Sequence, residues 1–183
     1  MQKDIIAVKE KQNKAYETMK AKYGYKNKMA APHLLKVIVS VGTGSGIKKD
    51  KNRNTFIADR LAKITGQKTA VKAAKKSIAT FKLREGEPIG VMVTLRGTRM
   101  YSFMDKLLNV SLPRTKDFRG LDAKAVDNIG NITIGLKEHT IFPETADEEI
   151  KDVFGLAITI VTTAKTKPEA TEFLRLIGVP FKK

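Results

Sequence analysis

A chain of 183 residues with 42% hydrophobic content can bury a core as one domain. Having no cysteine and two isolated histidines, His33 and His139, it excludes disulfides, thiolate metal sites and thiol nucleophiles and gives no sign of a bound metal or cofactor. The formal net charge of +16 lies wholly in the first half: residues 1–84 hold 21 Lys/Arg against 5 Asp/Glu, whereas residues 85–183 hold 14 of each. Such a basic half attracts a polyanion through phosphate contacts and counterion release, so nucleic acid is the leading partner and a merely solvated basic surface the alternative. The sequence holds neither a run of about 18 apolar residues nor a signal-peptide pattern, and a soluble, cytoplasmic chain without a membrane partner is expected.

In chain order, residues 3–23 are good helix formers, with Val8, Ala15, Met19 and Tyr23 close to one stripe and Gly24 as the stop. The β-branched run Leu34 to Gly42 predicts a buried strand leading into Gly-Thr-Gly-Ser-Gly. Asn54 is placed to cap a helix carrying Ile57, Leu61 and Ile64, which Thr65-Gly66 ends. "TAVKA" and "PIGVMVTLRG" read as strands on either side of a protruding basic loop, residues 74–88. A helix over residues 98–112 puts Met100, Phe103, Met104, Leu107 and Leu108 on one face until Pro113 limits it, and residues 113–131 read as a long ordered loop. "ITIGL" and "LAITIVTTA" are strands separated by an acidic segment, 138–152. Thr166 and Glu169 form a candidate capping box for a last helix through Ile177. About five strands interleaved with about four helices predict an α+β fold: a mixed, mostly antiparallel sheet with helices mainly on one face, in a single domain over residues 1–183.

Gly42, Gly44 and Gly46 follow a strand and precede a helix, where a phosphate-binding loop would sit, but Ile47 stands where a dinucleotide fingerprint needs glycine and no Gly-Lys-Ser/Thr follows. The better reading is close backbone approach to an RNA phosphate, with Lys48 and Lys49 adding charge; a flexible turn with solvated lysines is the alternative. Arg96 and Arg99 flank a tight turn as a pair of planar donors for phosphates or bases, unless both pair with carboxylates such as Asp105. Ser40, Ser45 and Ser77 have no histidine and acid arranged around them, so no enzyme is expected. The acidic residues Glu144, Asp147, Glu148, Glu149 and Asp152 read as a solvated face or as a docking surface for a basic protein.

The segments "ITGQK", "KKSIATFKLREGEPIGVMVTLRGTRMYSF", "LPRTKDFRGL", "GNITIGLKEHTIFPE" and "ITIVTTAKT" occur in this order between Pro32 and Phe181. Together they resemble the family of large-subunit ribosomal protein five, which binds 5S ribosomal RNA. The resemblance implies a structural protein of the central protuberance that attaches 5S rRNA, touches the peptidyl-site tRNA and bridges to a basic small-subunit head protein, with large-subunit rRNA and other protuberance proteins as neighbours. It implies rRNA-binding roles for Ser40, Gln67, Thr94 and Arg96, beside the Gly42, Gly44, Lys48, Lys49 and Arg99 singled out above. Lys75, Lys76, Ser77, Ile78, Phe81, Lys82 and Arg84 would form the tRNA-contacting loop, and the acidic run the bridge. Arg114, Lys116 and Arg119 suit either rRNA or the bridge. Ser40 departs from the usual asparagine, Thr115-Lys116 from a hydrophobic residue and arginine, and Val126 from an aromatic. A general RNA binder or chaperone acting outside the ribosome is the alternative.

Overall fold

A computed structural model describes residues 7–44, 52–116, 118–145 and 153–182. Among these, β1 (Leu34–Gly42), β2 (Ala70–Ala73), β3 (Pro88–Leu95), β4 (Ile132–Leu136) and β5 (Leu156–Thr162) form an open antiparallel sheet in the order β2-β3-β1-β5-β4. With α1 (Val8–Tyr23), α2 (Arg53–Thr65), α3 (Gly97–Lys106), the single turn α4 (Leu112–Arg114) and α5 (Lys167–Leu176), the fold is the expected α+β. Two compact units divide the chain: residues 1–37, 96–134 and 159–183 form the first, residues 38–95 and 135–158 the second.

In the first unit, α1 buries Val8, Ala15 and Met19, the apolar stripe of the sequence. The Val8 N–H, left open by helix geometry, donates to Asp105 Oδ1 of α3 at 2.7 Å, and Gln12 Nε2 donates to the Tyr101 hydroxyl at 3.2 Å. The other end of α1 is tied to α5: Lys22 and the Tyr23 hydroxyl donate to Glu172, and the Tyr25 hydroxyl donates to Glu169. That last bond alters the expected capping box. Thr166 is the N-cap but makes no side-chain cap bond, and Glu169 accepts instead from the Lys165 N–H at 2.9 Å, one residue before the cap. The helix expected over residues 98–112 changes pitch at Leu107–Ser111, where it becomes a π-helix and Leu112 N–H reaches back five residues to the Leu107 carbonyl. Pro113 accounts for this: it has no N–H to give the Asn109 carbonyl, and its ring would collide with that carbonyl in an ordinary turn.

In the second unit, α2 buries Ile57, Leu61 and Ile64, while β3 buries Val91, Val93 and Leu95 in strict alternation. Gly90 allows close strand approach, since a Cβ there would lie 3.0 Å from the Val41 carbonyl oxygen. The expected Asn54 cap is corrected. Asn52 is the N-cap, and Asn54 lies inside the helix, buried, its Nδ2 3.5 Å from the Pro88 carbonyl. His139 is fully buried and stacked on Phe154 with ring centroids 4.0 Å apart, and its Nδ1 accepts the Phe154 N–H at 3.3 Å. It is a packed core residue with a tertiary role.

Candidate nucleic-acid interface

Period-2 alternation decides which side chains of the second unit face outward. On β1, Val39 and Val41 are buried while Ser40 is half-exposed and Gly42 exposed. On β3, Gly90, Met92 and Thr94 occupy the half-exposed positions between buried neighbours. The antiparallel register pairs Lys72 with Gly90 and Ala70 with Met92, and directly opposed residues share a face, so exposed Lys72 joins this outward side. Gln67 follows Gly66, which ends α2 in the left-handed region at φ 65°. Its Nε2 donates to the Thr94 carbonyl at 3.0 Å, which fixes the amide and leaves its oxygen able to accept. The outward side therefore carries a hydroxyl on each of two strands, an anchored amide and a lysine, beside Gly42, Gly90 and the longer Ile38 and Met92. Such a surface can meet ribose hydroxyls and phosphates at close range.

Gly42 and Gly44 are exposed with open space where a Cβ would stand. Lys48 and Lys49 lie outside the described residues. In the first unit, Arg96 is the extended N-cap of α3 and Arg99 is in its first turn, both exposed. Asp105 is engaged by Val8, and among the described residues neither arginine meets a carboxylate, so the expected alternative of an Asp105 pair does not occur.

The basic loop is an ordered hairpin. Ala74 pairs with Glu87 and Gly86 at its base, through N–H to O distances of 2.8 and 3.0 Å, and Ile78 and Leu83 exchange two backbone bonds of 3.0 and 3.1 Å. Ala79–Phe81 form a 3-10 turn that closes on Lys82, a lysine in the left-handed region at φ 50°. Ser77 Oγ accepts the Glu85 N–H at 3.0 Å, so this serine braces the arm. Lys75, Lys76, Lys82 and Arg84 are exposed, as are Ile78 and Phe81 at 42% and 67%. An apolar tip flanked by four cations suits the bases and phosphates of an RNA.

Arg114, Lys116 and Arg119 are exposed on the chain after α3. Glu144 belongs to a 3-10 turn, Pro143–Thr145, and Asp147, Glu148, Glu149 and Asp152 lie outside the described residues. Lys72 was not among the residues singled out from sequence. Its signal was the alternation of "TAVKA", but a face could be assigned only once the register to β3 was known. Among the described residues no three His, Asp or Glu side chains gather as a metal site, and no helix is long and apolar enough to cross a membrane.

Two family models match the chain in succession, that of "Ribosomal protein L5" over residues 27–84 and that of the same ribosomal family's C-terminus over residues 88–181. The chain belongs to the L5 family of ribosomal proteins. It is similar to proteins named large ribosomal subunit protein uL5 throughout their length. That of Heliobacterium modesticaldum is 52% identical over 97% of this chain and 99% of its own, and that of Carboxydothermus hydrogenoformans 49% identical over 93% and 94%. The Brevibacillus brevis protein is 52% identical over 91% of this chain and 92% of its own. As an L5-family member the chain is a structural ribosomal protein of the large subunit, not an enzyme, and its place is the ribosome in the cytoplasm.

Proposed function

We propose that this L5-family chain binds 5S ribosomal RNA through the outward side of its sheet and holds it in the central protuberance of the large subunit. The observation that carries the reading is the Gln67–Thr94 pair: an amide anchored at 3.0 Å to the carbonyl of a half-exposed threonine, on a strand whose alternate residues are buried. Arg96, next but one in the chain and unpaired among the described residues, supplies charge, while Ser40 offers one hydroxyl where the family usually has an amide. Phosphate contacts by the basic half would supply affinity and salt dependence, and the anchored polar groups recognition of shape and 2′-hydroxyls. The hairpin with Lys75, Lys76, Lys82 and Arg84 would meet the peptidyl-site tRNA, and the acidic segment around Glu144 a basic small-subunit head protein.

Replacing Thr94 and Arg96 together by alanine is expected to weaken 5S rRNA binding by about 1–3 kcal/mol per strong contact, the range of specific polar readout. Filter binding at fixed salt measures this, and unchanged affinity in a folded variant would sink the reading.

A further inference from the structure

The C-terminal residues of the first unit are laid against the loop that follows α4. Leu121 N–H donates to the Pro180 carbonyl at 2.7 Å and Lys182 N–H donates to the Leu121 carbonyl at 2.8 Å, so that Leu121 and Phe181 form a parallel bridge. The approach is close enough to dictate sequence. Gly120 holds φ at +93°, and a Cβ there would lie 2.8 Å from the Lys182 nitrogen and 2.9 Å from the Phe181 carbonyl carbon. Phe118, Leu121 and Phe181 are only partly covered and keep some of their apolar surface accessible. The pairing brings the Lys182 backbone beside Gly120 and Leu121, next in the chain to Arg119. Arg114, Lys116, Arg119, Lys124 and Lys182 are exposed, and among the described residues none meets a carboxylate. The described acid within this stretch, Asp122, is occupied in accepting the Lys124 N–H at 2.9 Å.

We infer that the C-terminal Phe181-Lys182 segment, zipped onto Leu121, completes a second RNA-binding patch in which Arg119 and Lys182 take backbone phosphates and the half-exposed Phe181 offers a face to a base. Holding the loop by backbone bonds fixes its shape before RNA arrives, so less freedom is lost on binding than from a loose basic tail. Cations interleaved with accessible aromatic rings are the chemistry of RNA recognition. The inference rests on the chain being an RNA binder but not on the sheet residues. The RNA could be 5S or the long large-subunit rRNA, which offer the same sugar-phosphate backbone.

The test is filter binding across a salt series, with transcribed 5S rRNA and transcribed long large-subunit rRNA as separate probes. The samples are wild type, Arg119→Ala with Lys182→Ala, the conservative pair Arg119→Lys with Lys182→Arg, and Thr94→Ala with Arg96→Ala. The double-alanine patch variant is expected to keep the wild-type melting temperature and to lower the log–log salt slope on one probe by about 1.4–1.8, two phosphate contacts at 0.7–0.9 each. The conservative pair should restore the slope, and a chain ending at Pro180 should lose it. A wild-type slope on both probes from the double-alanine variant overturns the patch. If Thr94→Ala with Arg96→Ala still weakens 5S binding in that case, the sheet reading stands while the patch falls; a wild-type chain that binds neither RNA overturns both.

Discussion

At Gly130 the backbone holds φ at +89°, and an added Cβ would lie 3.0 Å from Ala164 Cβ, 3.1 Å from its carbonyl oxygen and 3.1 Å from Ala170 Cβ. The backbone conformation strains any side chain and the neighbours would have to give by a few tenths of an ångström, so Gly130→Ala should destabilise the protein by about 1–3 kcal/mol, read from the midpoint of urea unfolding. The tie between α1 and α5 predicts an acid response. The bond from Lys22 holds the Glu172 carboxyl below its ordinary 4.5, and the same bond holds the Lys22 ammonium above its ordinary 10.5. A depressed carboxyl stabilises the fold above its unfolded value and loses that effect as pH falls through the folded one. Glu172→Gln should therefore lower the melting temperature slightly at pH 7, with the difference from wild type shrinking as pH falls below the ordinary carboxyl value. Single residues were also where sequence reasoning slipped. Asn54 looked like a cap and is a buried ligand of the Pro88 carbonyl, and Thr166 lost its capping box because Tyr25, far away in sequence, recruits Glu169. Local patterns carry no information about such distant partners.

The elements themselves were legible. β1 and β3 announce themselves by alternating β-branched residues, and α2 by Ile57, Leu61 and Ile64 at helical spacing, because burial on one side leaves a period in the sequence. Where no period exists, the sequence was silent. The Ile78–Leu83 bridge inside the basic hairpin pairs two apolar residues among cations, and the π-helical turn at Leu107–Ser111 depends on how the chain accommodates Pro113. The hairpin's base is closed by Ala74, Gly86 and Glu87, so the tip can be removed without opening the end of the sheet. Deleting residues 77–82 is expected to leave the melting transition and 5S rRNA affinity near wild type while weakening retention of tRNA on ribosomes that carry the variant. Loss of 5S binding in the same variant would mean that the arm belongs to the RNA-binding fold.

Across the whole molecule, an excess of +16 confined to residues 1–84 beside a neutral remainder suits a ribosomal protein with a polyanionic partner. Composition gave the class of partner, and ordered motifs over most of the chain gave the family, which both family models match. Ser40 and Thr94 were legible through the family likeness and lie at the half-exposed positions of their strands, whereas the outward position of Lys72 came only with the strand register, since alternation separates two faces without saying which one is covered. The central claim is selective binding of 5S rRNA, and offering the purified chain total ribosomal RNA over a salt series tests it most directly. Saturable retention of 5S over the longer RNAs, weakening steadily with salt and reduced by Thr94→Ala with Arg96→Ala, is the predicted result. Equal retention of every RNA in proportion to its length, unaffected by that variant, would contradict it.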